Sequence, residues 1–324
     1  GIQCEIIPVW NGYCMTVYFQ SNTFLKHETG AHPECGLRLE TVMNQVSAAA
    51  IPNLVIMNDP QVGTGEEILR VHPETYLNEL QAFSAAGGGR IESDTVMSAD
   101  SYDVARYAAG CAVEAVDRVI MGQVKQVFSA SRPPGHHALS DRAMGFCLLN
   151  NVAIAARHAI DFHGLNRVLI VDWDVHHGNG TQDIFYEEES VYFFSAHRHP
   201  FYPGTGLGHE TGSGAGLGTI WNLPLAFGIS RQDYFSQFER MLVDAAARSQ
   251  PELILISAGF DAHKDDPIGS LGLETEDFGT LTQLVKEVAR EYCGGRIVSL
   301  LEGGYHPQRL AESVICHLTH LAND

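Results

Sequence analysis

The segment Asp172-Trp173-Asp174-Val175-His176 carries two carboxylates and an imidazole at alternate positions, directly after an apolar run. In an extended chain a period of two points Asp172, Asp174 and His176 the same way. A carboxylate and an imidazole two residues apart can share a metal ion, and charged groups that end a buried strand are costly unless paired or metal-bound. A buried Asp–His hydrogen bond is the alternative this pattern leaves open. Asp261, just past another apolar run, offers a third ligand. Asp, His and Asp with an open position make a hydrolytic metal site that suits Zn2+, and Fe2+ also fits.

Two further features belong beside such a site. His136-His137 follows Pro-Pro-Gly, a rigid turn that aims both rings out of the preceding strand. Next to a metal, a tandem histidine supplies a general base for an attacking water; alone it would be an ordinary loop feature. Tyr305, in a Gly-Gly-Tyr turn, places a phenol where it can donate to a developing oxyanion. The Gly-rich stretch 204–218 contains neither GxGxxG nor GxxxxGK[ST], and reads as a flexible loop rather than a phosphate cradle. No Gly-x-Ser-x-Gly elbow points to a serine hydrolase.

The elements that must position these groups alternate along the chain. Short runs rich in Val, Ile, Leu and Phe predict strands at Gln126–Ala130, Arg167–Asp174, Val191–Ala196, Leu253–Ser257 and Arg296–Leu301. Helical patterns lie before, between and after them, at Ser101–Met121, Asn151–Phe162, Arg231–Ala247, Glu276–Tyr292 and Gln308–Leu321. Ser230 stands at an N-cap position and Gly294-Gly295 punctuate a helix end. The alternation predicts a single α/β domain: a mostly parallel central sheet with helices on both faces. Each predicted strand is followed by polar residues, and ligands of open parallel sheets bind beyond the carboxyl ends of the strands. Five strands therefore describe one site.

At 324 residues and 45% hydrophobic content the chain has ample core. A net charge of -19 argues against direct nucleic-acid binding and is compatible with a cationic substrate. The seven cysteines are scattered, with no CxxC pair, which suits a reducing compartment. No run approaches a membrane span and no signal peptide is evident. The expectation is an intracellular, cytoplasmic protein, with homo-oligomerisation left open. Residues 1–15 read as an N-terminal extension, trimmed or added, before a catalytic domain at 16–324.

Taken together the residues resemble the histone deacetylase superfamily, in its class II-like branch and among its bacterial amidohydrolase relatives. The resemblance rests on His32-Pro33-Glu34, Arg132 to His137, Gly145 to Asn151, Asp172 to Gly180, Ala258 to Ala262 and Glu302 to Tyr305, in the family's order. It implies an arginase-like α/β sheet and a zinc-dependent deacetylase acting on acetyl-lysine. By resemblance Asp174, His176 and Asp261 match the zinc ligands. His137 matches the general base and acid, and His136 its electrostatic partner, oriented by Asp172. Asn179 stands behind His137 where some relatives have Asp. Tyr305 matches the tyrosine that polarises the substrate carbonyl. Gly145, Phe146 and Tyr202 resemble the walls of the acyl-lysine tunnel. Asp172, Asp174, His176 and Ser195 resemble a structural potassium site. One departure stands out: Cys35-Gly36 follows His-Pro-Glu where the family usually has a Pro two residues later.

Three rival readings are weighed against this one. A two-manganese ureohydrolase needs more carboxylates than Asp-x-Asp-x-His-His provides. A non-catalytic acyl-binding module would not need the complete set of ligands, tandem histidine and tyrosine. An acetylpolyamine or other small-amide hydrolase would be favoured by a narrowed tunnel or an acidic rim. Asp94 and Asp100 are the candidate rim acids, each also readable as a loop or helix-capping residue.

Overall fold

The five apolar runs become five adjacent parallel strands at the centre of one sheet. The computed structural model describes residues 16–63 and 65–323, so the expected extension at 1–15 lies outside the described residues. In chain order the strands are β1 (Thr16–Gln20), β2 (Leu54–Asn58), β3 (Gly88–Arg90), β4 (Val96–Ser98) and β5 (Gln126–Ser129). They continue with β6 (Val168–Asp172), β7 (Val191–Arg198), β8 (Ile220–Leu225), β9 (Leu253–Ala258) and β10 (Ile297–Leu301). The helices are α1 (Gly36–Ala49), α2 (Glu74–Ala85), α3 (Ser101–Ile120) and α4 (Asn151–Asp161). They continue with α5 (Asn179–Ile184), α6 (Arg231–Ser249), α7 (Thr275–Cys293) and α8 (Pro307–Ala322).

Eight strands form the main sheet in the order β2-β1-β5-β10-β9-β6-β7-β8, every pair parallel. Helices α1, α8, α7 and α6 pack side by side as one layer, while α3 and α4 pack together as another. Strands β6, β9 and β10 are buried along their whole length. That is why they are near-continuous apolar runs, broken only by Ser257, Ser299 and the Asp172 that ends β6, rather than alternating ones. Their registers bring Asp172 opposite both Ser195 and Ser257, so the carboxyl ends of β6, β7 and β9 finish level.

Local signals act where they stand. Ser230 accepts from Asp233 N to cap α6, and Gly294 at φ 63° ends α7 in the left-handed region, where glycine is unstrained. Two expectations need correction. The strand at 167–174 stops at Asp172, because the Asp172 carboxylate accepts from Asp174 N at 3.0 Å and turns the chain out of the sheet. The Gly-rich stretch is not loose. Glu210 accepts from Gly206 N and Leu207 N, and a Cβ on Gly206 would come within 2.4 Å of His197.

Candidate metal centre

The turn after β6 builds the centre of the site from backbone hydrogen bonds. Asp172 accepts from Asp174 N, and Asp174 Oδ1 accepts from His176 N at 2.9 Å, so each carboxylate fixes the residue two further on. Asp261, beyond β9, ties in from the next strand by accepting from Val175 N at 2.9 Å. Asp172 does not share the direction of the other two: it turns to His136, while Asp174 and His176 converge with Asp261. His176 Nδ1 lies 3.1 Å from Asp174 Oδ1 and 3.1 Å from Asp261 Oδ2. The three residues are buried, and their ligand atoms all lie within 4.8 Å of one another.

A divalent cation fits this set. Asp261 Oδ2 is buried and accepts no hydrogen bond, an orphaned oxygen that ion coordination would satisfy. Burial, reinforced by the charge of Asp174, pushes Asp261 up to about 7. Burial alone would depress His176, yet the carboxylates beside it raise it to about 10. Both shifts say that the point where these atoms meet calls for positive charge. Two carboxylates and one imidazole are donors suited to zinc or iron.

Beside the triad, the tandem histidines are set in opposite protonation states by their partners. His136 Nδ1 meets Asp172 Oδ2 at 2.8 Å. Burial opposes its charge, but Asp172, Asp174 and Glu302 outweigh that and hold it well above the usual histidine range. His137 Nδ1 meets Asn179 Oδ1 at 2.7 Å, with a neutral amide in place of a carboxylate. Burial, with the charges of His136 and His176, keeps His137 well below the usual range. With its Nδ1 proton given to Asn179 Oδ1, the lone pair of neutral His137 sits on Nε2.

Tyr305 closes the opposite side. Burial keeps its phenol far above the usual range, so it is a proton donor at any working pH. Phe146 stands edge-on to the Tyr305 ring at 5.6 Å and Tyr202 edge-on to His137 at 5.3 Å, which makes them two aromatic walls. Phe146 holds φ 70°, a strained conformation for a bulky residue. At Gly145 a Cβ would lie 2.4 Å from His137 Cδ2, so only glycine lets that wall close in. Asp94 sits at the same rim, accepting from Gly145 N at 3.1 Å, whereas Asp100 precedes α3 without a side-chain cap bond. His32 stands edge-on to Phe146 at 4.6 Å, which brings the loop before Cys35-Gly36 to the wall. Ser195 is buried across from Asp172, its hydroxyl 2.9 Å from His197 Nδ1.

Sequence reasoning missed several supports. Glu302 is buried and accepts from Gly135 N at 2.7 Å and His136 N at 3.1 Å, anchoring the tandem-histidine turn. Its signal was a charge immediately after a strand that is apolar but for Ser299. Glu34 joins Arg38 and Arg132 in a buried ion triad, and Arg38 in turn donates to the carbonyls of Glu302 and Gly304. Among the described residues a second group, Asp117, His158 and His163, also brings its possible ligand atoms within 4.8 Å of one another. There Arg70 donates to His158 Nδ1, so the His158 proton is on Nε2 and is given to Asp117 at 2.7 Å. That group is a hydrogen-bonded bridge between α3 and α4.

An Asp–His–Asp centre beside a tandem histidine, set at the carboxyl end of a parallel arginase-like sheet, is the arrangement of a deacetylase-type hydrolase. Comparison with known proteins agrees. The histone deacetylase domain family matches residues 32–321. The chain is 39% identical over 274 residues to a histone deacetylase-like amidohydrolase of Pseudomonas aeruginosa, covering 84% of this chain and 71% of that protein. It is 37% identical over 308 residues to the human polyamine deacetylase HDAC10, covering 90% of this chain and 45% of the relative. The solved HD domain of HDA15 superposes with a TM-score of 0.89 at 35% identity, covering 95% of this chain and 88% of that one. The chain belongs to the histone deacetylase family of hydrolases. No helix among the described residues is long and apolar enough to cross a membrane.

Proposed function

We propose that the chain is a zinc-dependent deacetylase that hydrolyses the amide of acetyl-lysine in a peptide or protein. The observation that carries this reading is the pairing of an Asp–His–Asp triad with two adjacent histidines backed by different partners, a carboxylate behind His136 and a neutral amide behind His137. Asp174, His176 and Asp261 would hold a zinc ion, which when bound would supply Lewis acidity to a water and to the acyl carbonyl. Neutral His137 accepts the water's proton at Nε2 and afterwards delivers a proton to the departing amine. Charged His136, fixed by Asp172, stabilises negative charge at the reacting centre, and Asn179 keeps His137 in the required tautomer. Tyr305 donates its phenolic hydrogen to the oxyanion. Phe146, Tyr202 and Gly145 enclose the aliphatic stem of the lysine and exclude water. A potassium ion near Asp172, Asp174, His176 and Ser195 is part of the proposal. Burial pushes Asp172 up against the pull of His136, and a monovalent cation nearby would favour its charged form.

Acetylpolyamines are the second reading, supported by the name of the human relative and by Asp94 at the rim. Amine release from acetyl-lysine peptides, acetylpolyamines and longer acyl-lysines, with and without chelator, tests both. Chelator-sensitive turnover ranked highest on acetyl-lysine peptides is expected; a polyamine preference would replace the substrate, and silence across the panel with zinc bound would overturn the hydrolase reading.

A further inference from the structure

We infer that Asp266 is a positioning residue for Tyr305, acting through a turn that links the metal-ligand loop to the catalytic tyrosine. The inference rests on the role given to Tyr305 above. Tyr305 lies in a loop of glycines after β10, and such a backbone does not hold a phenol in place by itself. Gly304 adopts φ 124°, which only glycine tolerates readily. Something outside the loop must therefore fix it.

Asp266 meets that need. Its carboxylate is buried and fully engaged: Oδ2 accepts from Tyr305 N at 2.7 Å, and Oδ1 accepts from Ile268 N and Gly269 N, both at 2.9 Å. One side chain thus closes its own turn and grips the backbone of the catalytic tyrosine. The turn is bound at two other points. Ser270 N donates to Asp261 O at 2.7 Å, beside the ligand carboxylate, and a Cβ on Gly269 would approach Asp261 O to 2.4 Å. From the far side Arg198 donates to Gly269 O at 3.0 Å. The guanidinium of Arg198 lies 4.1 Å from the Phe201 ring centroid, and Phe201 stacks on His176 at 5.1 Å. The 266–270 turn is therefore a brace between the two halves of the machinery, with its Tyr305 end held by Asp266.

Asparagine at 266 keeps the size but offers only one acceptor oxygen. Either Tyr305 N or the two turn amides then face an NH2 group, and the brace loosens at one end. A misplacement of the order of 1 Å costs roughly 10²-fold in rate. The experiment is a double-mutant cycle of Asp266→Asn and Tyr305→Phe, read as turnover of an acetyl-lysine peptide with zinc content and thermal melts measured alongside. Asp266→Asn is expected to lower kcat about 10–100-fold with KM and zinc content little changed. On the Tyr305→Phe background it should cost no more than about threefold, because residues acting as a unit are not additive. Equal losses on both backgrounds, or loss of zinc, would overturn the inference. If Tyr305→Phe itself retains full activity, the role of the tyrosine fails first; if it falls while Asp266→Asn behaves as wild type, only the positioning role fails. Should Asp266→Asn not fold, Arg198→Gln reaches the same turn from its half-exposed end. It should show the same sensitivity to Tyr305, and an equal loss in the Tyr305→Phe background would again refute the brace.

Discussion

Replacing Gly303 by alanine is the sharpest steric test of the candidate metal centre. A Cβ there would lie 2.3 Å from Asp261 Oδ2 and 2.6 Å from Asp174 Oδ2, where ordinary contact begins at 3.4 Å. The shortfalls, about 1.1 Å and 0.8 Å, fall on oxygens of two different ligand carboxylates. Gly303 does not share the positive φ of Gly304, so alanine meets no backbone penalty and the effect is one of volume. The Asp174 carboxylate has little room to retreat, because Gly303 N donates to its Oδ2 at 2.8 Å and a Cβ on Gly259 would lie only 2.1 Å from the same oxygen. Zinc–oxygen bonds are about 2.0–2.2 Å long, so displacement by half that length removes a ligand. Disturbing only the groups that orient ligands costs about 10–100-fold in metal affinity, which sets about 100-fold as the least loss expected here. Overpacking costs about 1–3 kcal/mol, within what a folded domain of ordinary stability tolerates. The assay is zinc titration against a competing chromophoric chelator, with circular dichroism to verify folding. Gly208→Ala is the control, since its φ is not positive and its Cβ would approach nothing closer than 3.9 Å. A folded Gly303→Ala protein that binds zinc like its parent would refute the placement of the two carboxylates.

Three other outcomes are expected. Tyr305→Phe should lower turnover by roughly 10²–10³ with zinc still bound, as loss of an oxyanion donor does; near-normal turnover would remove it from the mechanism. Glu34→Gln leaves Arg38 and Arg132 buried without their shared carboxylate, and should cost about 3–5 kcal/mol in urea unfolding at an unchanged slope. His72 is held neutral, its Nδ1 donating to Ser140 O and its Nε2 accepting from Asn150 N, with burial lowering it to about 4. The unfolded chain binds this proton near pH 6.5 and the folded one only near 4, so stability is full above 6.5 and declines as pH falls towards 4. The contribution is about 3 kcal/mol at most. His72→Gln should flatten that decline in thermal melts between pH 7 and 5, and an unchanged slope would count against it.

How much of this was legible in the sequence follows from burial. The five expected strands are β5, β10, β9, β6 and β7, the contiguous middle of the sheet, where both faces are covered and apolar residues predominate. The flanking strands escaped for physical reasons. β8 contains Pro224, which argues against a strand except at a sheet edge, where it lies. β2, at the other edge, is only half-buried, and its five residues follow a turn that hides its start. β1 interleaves Thr16, Tyr18 and Gln20 with Val17 and Phe19, although all five are buried. The convergence of Asp174, His176 and Asp261 was readable because strand ends announce sites. The grip of Asp266 on Tyr305 was not, because a backbone amide as partner leaves no mark in the residue pattern. Nor was the Glu34–Arg132 pair, which joins residues 98 apart in the chain.

The central claim is that Asp174, His176 and Asp261 hold the ion on which hydrolysis depends. Stripping the protein with chelator and restoring zinc stepwise, while following amine release from an acetyl-lysine peptide, tests it most directly. The account predicts that activity disappears with the metal and returns in full at one zinc ion per chain, and that Asp174→Ala neither binds the ion nor recovers. Undiminished turnover by metal-free protein, or full recovery of Asp174→Ala, would contradict it.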